Sequence, residues 1–256
     1  MNIPSGRIIA ILLGALGAIS SAEAAAQNYD ILARSPPTSI YLETDYTGND
    51  GLANCDWYTS ADDFLAAAPD AEFGKACRIS LRIRGVINRD GAVLLSRVVE
   101  RATAHEYTVA SLVLDSQGGD ADAAISMARL IRRSDIFNTA PVVARIAPDY
   151  QSVCFSACVV LFSAAYDREL EFDINNDPEL PSRIGIHGPG QFDRTRSAYD
   201  SSAGNAEIAR VSRRLKDYFR SIDVAERLVD DMFAVPFDEI RLLSREDLVA
   251  YGLYAD

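Results

Sequence analysis

Within Ser152–Phe162, SVCFSACVVLF, a serine stands two residues from a cysteine on either side and just ahead of an apolar run. A serine hydroxyl is a poor nucleophile near neutral pH unless a base sits within hydrogen-bond reach. The chain has two histidines to offer. His105, in RATAHEYTV, follows a helical pattern and reads as a surface residue. His187 closes the apolar stretch RIGIH and precedes GPG, which stops a strand and leaves the imidazole at a sheet edge. Ser156 as nucleophile with His187 as general base is the chemistry these residue types allow. A Ser–Lys pair is another way to activate a serine, but the two lysines, Lys75 and Lys216, fall near neither motif. Cys154 or Cys158 could attack only as a thiolate, which a disulfide does not supply.

Acyl transfer also needs donors for the developing oxyanion. Ser156 opens an apolar helix, so the amide of Ala157 is one candidate. The turn SQGGD supplies Gly118 and Gly119, whose backbone can approach a substrate closely. A third member would orient His187 and stabilise its charged form. The candidates are Asp238 and Glu239 in VPFDEIRLLS, and the sequence does not separate them. Each residue has a plainer reading. Ser156 can be an N-cap or a small packing residue, the glycine pair an ordinary turn, His187 a structural histidine, and the two acids a solvated turn.

Placing these residues together requires a particular order of elements. RISLRI alternates apolar and polar residues and predicts a strand. GAVLLSRVVERATA has apolar residues at helical spacing, SLVLD is a short apolar strand, and ADAAISMARLIRR is a helix. PVVARI, SACVVLFSAA and RIGIH follow as strand, buried helix and strand. NAEIARVSRRLKDYFRSI and VAERLVDDMF are amphipathic helices, and SREDLVAYGL closes the chain with Ser244 as N-cap and acids in the first turn. Strands alternating with helices imply an α/β domain with a mainly parallel sheet and flanking helices. In such sheets sites lie beyond the carboxyl ends of strands. The Gly118–Gly119 turn, Ser156 and His187 each follow a different strand, and all three are expected at one edge of one sheet.

The 256 residues, 48% of them hydrophobic, suit one domain with a sizeable core and a small extension. A formal net charge of −12 disfavours nucleic acid and anionic membrane as partners. The N-terminus, with Arg7, the apolar run Ile8–Ile19 and then SSAEAAAQ, has the layout of a secretory signal peptide over residues 1–24, with cleavage after Ala24 or Ala26. An uncleaved anchor is the alternative, though the run is short for a membrane span. The expected location is the periplasm, or outside the cell. Residues 27–76 are rich in turn signals and read as an irregular N-terminal extension, and 77–256 as the folded domain. Four cysteines in an oxidising compartment suggest two disulfides. Of three pairings, Cys55–Cys77 with Cys154–Cys158 is preferred. A zinc site is disfavoured by the spacing and by the shortage of histidines, so no metal is expected.

Taken in order, LVLDSQGGDADAAISMARLIRR, CFSACVVLFSAA, RIGIHGPG and RLLSREDLVAYGLYAD resemble the Clp-type serine peptidases, whose fold of repeated ββα units is shared with the crotonase superfamily. The resemblance runs from about Ile79 to Asp256 and looks towards exported bacterial relatives. It implies Ser156 as nucleophile, His187 as base, and Gly118, Gly119 and Ala157 as the oxyanion region. There are departures. Gln117 stands where the family has proline, the acidic insert DRELEFDINNDPELPS lengthens the interval between Ser156 and His187, and the family's aspartate would fall nearest Ile240. The flanking cysteines are also foreign to Clp subunits. What the resemblance implies is a serine hydrolase acting on peptides or unfolded segments, without a cofactor, able to assemble into rings or trimers, and, if exported, without a Clp ATPase partner. A catalytically inactive Clp-fold binding or assembly module is the alternative. An acyl-CoA enzyme is a third reading, which the acidic composition disfavours.

Overall fold

A computed structural model describes residues 38–44, 60–66, 78–104, 107–137, 143–146, 152–169, 183–193, 198–200 and 204–254. The signal segment, Cys55, Cys77, Lys75 and His105 lie outside the described residues.

Three strands make the centre of the molecule: β2 (Arg78–Arg84), β3 (Thr108–Asp115) and β4 (Val143–Ile146). They pair in parallel, β2 with β3 and β3 with β4, and β4 pairs in parallel with the two-residue β6 (Asp167–Arg168). Leu81, Ile83, Leu112 and Leu114 are fully buried along the inner pair. The hydroxyls of Ser80 and Ser111, which the core also buries, satisfy each other at 2.7 Å. The opposite edge is antiparallel. It is formed by β1 (Ser39–Thr44), which pairs with β2 over its whole length.

The stretch expected to be irregular therefore contributes to the main sheet. Ile40 and Leu42 of β1 are buried, as are Ala61 and Phe64 of the short helix α1 (Ala61–Ala66). Clustered turn signals between 45 and 59 concealed these two short elements, each only six residues long.

Helices α2 (Arg89–Ala104) and α3 (Ala121–Arg133) follow β2 and β3 as crossovers. α3 starts at Asp120, whose carboxylate accepts from the Ala123 amide at 2.9 Å, and ends on Arg132 and Arg133, as the helix dipole favours. Helix α4 (Ala157–Phe162) is apolar on every side and buried at every residue. The C-terminal part is helical: α5 (Asn205–Arg220), α6 (Arg227–Ala234) and α7 (Arg245–Tyr251). The predicted N-cap of α7 is a full capping box between Ser244 and Asp247, and Gly252 ends the helix in the left-handed conformation.

A second sheet was not foreseen. It has the order β10 (Arg241–Leu242), β7 (Ile184–Ile186) and β5 (Cys154–Phe155), with β5 parallel and β10 antiparallel to β7. A separate antiparallel pair joins β8 (Gln191–Asp193) to β9 (Ala198–Asp200). The sheets are thus mixed rather than mainly parallel. Strands of two residues carry no detectable periodicity, so they are invisible to a pattern search. Among the described residues the two larger sheets are joined by one parallel bridge, Ser116 to Cys154, with Ser116 N–H donating to the Val153 carbonyl and Phe155 N–H to the Ser116 carbonyl.

Candidate active site

That bridge is what brings the site together. The Gly118–Gly119 turn leaves the five-stranded sheet after β3, whereas Ser156 and His187 follow β5 and β7 of the smaller sheet. The expected single edge is in fact the seam between two sheets. A cavity of about 560 Å³ opens there, and Gln117, Gly119, Ser156, Ala157 and His187 all line it.

Ser156 sits at a sharp strand-to-helix turn with φ 52° and ψ −117°. A positive φ is unusual for a serine and costs on the order of 1–3 kcal/mol. The surroundings hold it there. Its N–H donates to the Gly185 carbonyl of β7 at 2.9 Å, and its carbonyl accepts from Val159 in the first turn of α4. Turns of this kind lift the central side chain out of the backbone and press the residues two before and two after together. Those residues here are Cys154 and Cys158, with Cα atoms 5.1 Å apart and their sulfurs bonded in a disulfide. Both cysteines are fully buried. The disulfide expected on sequence grounds is thus the clasp of the turn that carries Ser156. Ser156 stands at the N-cap position of α4, but its side chain makes no capping bond there.

The glycine turn lies directly against this elbow. Gly118 has φ 103°, and a Cβ there would come within 2.8 Å of the Ser156 Cβ and the Phe155 carbonyl oxygen. Gly119 has φ 143°, and a Cβ would sit 2.1 Å from the Ile87 carbonyl oxygen. Two backbone bonds fasten the turn to the residues after β2: Ile87 N–H to the Gly118 carbonyl and Asp120 N–H to the Ile87 carbonyl, each 2.8 Å. The Gly118 N–H is itself engaged, donating to the Ser116 hydroxyl at 3.1 Å. Among the described residues no acceptor meets the N–H of Gly119 or of Ala157. Those two amides, both at the cavity wall, are the unoccupied donors of the site.

His187 is 8% exposed. Its Nδ1 lies 2.7 Å from the carbonyl oxygen of Gly188. A carbonyl can only accept, so Nδ1 carries the proton and Nε2 keeps its lone pair. Burial pushes the imidazole below its ordinary value, and the Gly188 carbonyl opposes that shift more weakly. The side chain of Phe237 stands edge-to-face with the imidazole, ring centroids 5.4 Å apart.

Asp238 and Glu239 occupy the exposed turn after α6, and neither side chain hydrogen-bonds to His187. The groups that do touch the imidazole, the Gly188 carbonyl and the Phe237 ring, were both inside motifs noted for other reasons. GPG was read as a strand stop and VPFDEI for its acids. Ile240 packs against Gly185 of β7, where a Cβ would come within 2.7 Å of its side chain.

Helix α5 forms the outer wall. Ile208, Val211 and Leu215 face the cavity beside Arg210. Arg210 donates to Asp122 at 2.8 Å and forks onto Glu207, while Arg214 reaches the other Asp122 oxygen at 2.7 Å. The start of α3 and the outer wall are thereby joined through one carboxylate. Among the described residues no group of ligating side chains is arranged to hold a metal ion, and no helix is long and apolar enough to cross a membrane.

No family model matches the chain, and no curated protein does. Among solved structures, it is similar to the 1510-N membrane-bound stomatin-specific protease in complex with a substrate peptide, at 15% identity and a TM-score of 0.43, over 69% of this chain and 71% of that one. It is similar also to ClpP1 from Listeria monocytogenes, at 15% identity and a TM-score of 0.43, over 66% of this chain and 84% of that one. TM-scores this low at this identity establish neither a common fold nor a common activity.

Proposed function

We infer that the chain is an exported serine hydrolase of Clp-like fold that acts on peptides or unfolded segments through Ser156 and His187. One observation supports this above the rest. A serine held at positive φ opens onto the same cavity as a buried histidine with a free Nε2 and two backbone amides without acceptors.

On this reading Ser156 Oγ attacks the scissile carbonyl while His187 Nε2 takes its proton. The oxyanion is met by the amides of Gly119 and Ala157. The C–N bond then breaks as Nε2–H gives its proton to the leaving amine. Water, deprotonated by the same nitrogen, hydrolyses the acyl ester and returns Ser156. The Gly188 carbonyl takes over the orienting part of a third residue's work. Loss of an orienting carboxylate is known to cost about 10⁴ in kcat when the wrong tautomer results. Here the tautomer is secured by a carbonyl, and only the full negative charge is missing.

Fluorophosphonate labelling of the mature, oxidised protein tests the reading, with mass spectrometry to locate the adduct and Ser156→Ala as control. Labelling at Ser156 that the variant abolishes is the expected result. An intact, folded protein that does not label overturns it.

The inactive binding module is favoured by one specific observation: among the described residues no hydrogen bond joins Ser156 to His187, and no carboxylate bonds to the imidazole. Absence of labelling together with saturable binding of an unfolded polypeptide would establish that reading instead.

A further inference from the structure

The geometry points to Phe237 as the positioning residue for His187, acting from the place in the chain where the orienting acid was sought. The inference rests on the hydrolase reading for its meaning in catalysis, but the contact itself does not.

The residues after His187 and the turn after α6 are built to meet. Gly188 N–H donates to the Val235 carbonyl at 2.8 Å. A Cβ on Gly188 would lie 2.6 Å from that same oxygen, and one on Gly190 would lie 2.3–2.6 Å from three carbons of the Phe237 ring. Glycine at both positions is what lets the two backbones and the ring close up. The ring then stands at 78° to the imidazole. One side of His187 is fixed through Nδ1 by the Gly188 carbonyl, and another is covered by Phe237. Together they brace the imidazole on two sides and leave Nε2 for the cavity.

A purely electrostatic explanation of the histidine's position would need a charged partner. The charged groups that share the cavity are Asp120 and Asp122 from the start of α3 and Glu207 and Arg210 from α5. Asp238 and Glu239 flank Phe237 in its turn and are exposed. None of the six hydrogen-bonds the imidazole. Asp120 is used in capping α3, and Asp122, Glu207 and Arg210 bond to one another. Beside the Gly188 carbonyl, the aromatic contact is what holds the ring.

The test is a proton–nitrogen NMR titration of the imidazole in the full mature protein. With two histidines in the chain, His187→Gln identifies the signal. Phe237→Ala, Phe237→Leu and Phe237→Tyr are compared. In Phe237→Ala the His187 midpoint is expected to rise towards the ordinary histidine value, and in Phe237→Tyr to stay where the unmodified chain has it. Leucine, which keeps part of the cover, is expected to fall between them and serves if the alanine variant does not fold. Hydrolysis of an activated ester is measured in parallel. Here kcat is expected to fall on the order of tenfold in Phe237→Ala, with KM little changed and recovery in Phe237→Tyr. A His187 midpoint that is the same in folded Phe237→Ala or Phe237→Leu overturns the proposal. A midpoint that moves in a protein that never labels at Ser156 upholds the contact and removes the hydrolase reading instead.

Discussion

The Nδ1 of His187 is bound by the carbonyl of the very next residue, Gly188, at 2.7 Å. The histidine is thereby oriented from within its own loop. Replacing Asp238 by Asn or Glu239 by Gln should leave kcat/KM within about threefold of the parent, far from the 10⁴ expected of an orienting carboxylate. A loss of a hundredfold or more in either variant, measured with an activated ester, would mean that the acid swings onto the imidazole in the working enzyme.

Burial of His187 sets the direction of the pH dependence. On the hydrolase reading the neutral imidazole is the base, and its folded value is held below the ordinary 6.5. The midpoint of the acid limb of kcat/KM should therefore fall below that value. Stability follows the same sign. An unfolded chain binds a proton on this group at a higher pH than the folded chain does, so the folded state loses stability as pH drops from the ordinary value through the folded one. His187→Gln should remove that part of the pH dependence in thermal melts.

The glycine turn tolerates no side chain. Gly119→Ala would place a methyl 2.1 Å from the Ile87 oxygen at a φ of 143°. A cost of about 1–3 kcal/mol or more is expected. For a domain of this size that is a melting temperature lower by roughly 2–4 °C per kcal/mol. Fluorophosphonate labelling should be lost with it. Labelling at the parent rate would show that the turn accommodates a side chain without displacing the elbow that carries Ser156.

Asp122→Asn tests whether the outer wall is held by charge. One carboxylate receives both Arg210 and Arg214, so its neutralisation should loosen α5 from α3. These groups are partly exposed, and salt screens them. The expected signature is a higher KM with kcat little changed, reproduced in the parent by raising ionic strength. An unchanged KM in both experiments would leave the ion pairs without a part in binding.

The pieces of the site were legible in the sequence, but their framework was not. Ser156, the glycine pair and His187 stand out because a nucleophile, flexible backbone and a base each demand particular residue types. The long strands and helices were visible for the same kind of reason: RISLRI alternates, and ADAAISMARLIRR repeats at helical spacing. The second sheet was hidden because β5, β7 and β10 have two or three residues each and are defined by pairing across 30 to 57 positions of chain. Phe237 was hidden for a different reason. An aromatic residue in a turn has no typical catalytic role, and only the approach permitted by Gly190 shows what it touches.

The disulfide between Cys154 and Cys158 encloses only a few residues, so by chain entropy it contributes about 2 kcal/mol, close to what the backbone of Ser156 costs. Both cysteines are buried, and reductant should leave the native bond intact, whereas a Cys154→Ser, Cys158→Ser double variant should lose that stabilisation and label slowly. Slow labelling without the bond has a further meaning on the hydrolase reading. A newly made chain carries Ser156 between two thiols, in a turn that nothing yet clasps. Oxidation then does for this protein what removal of a propeptide does for a zymogen: it arms the nucleophile, and does so only where an oxidant is at hand.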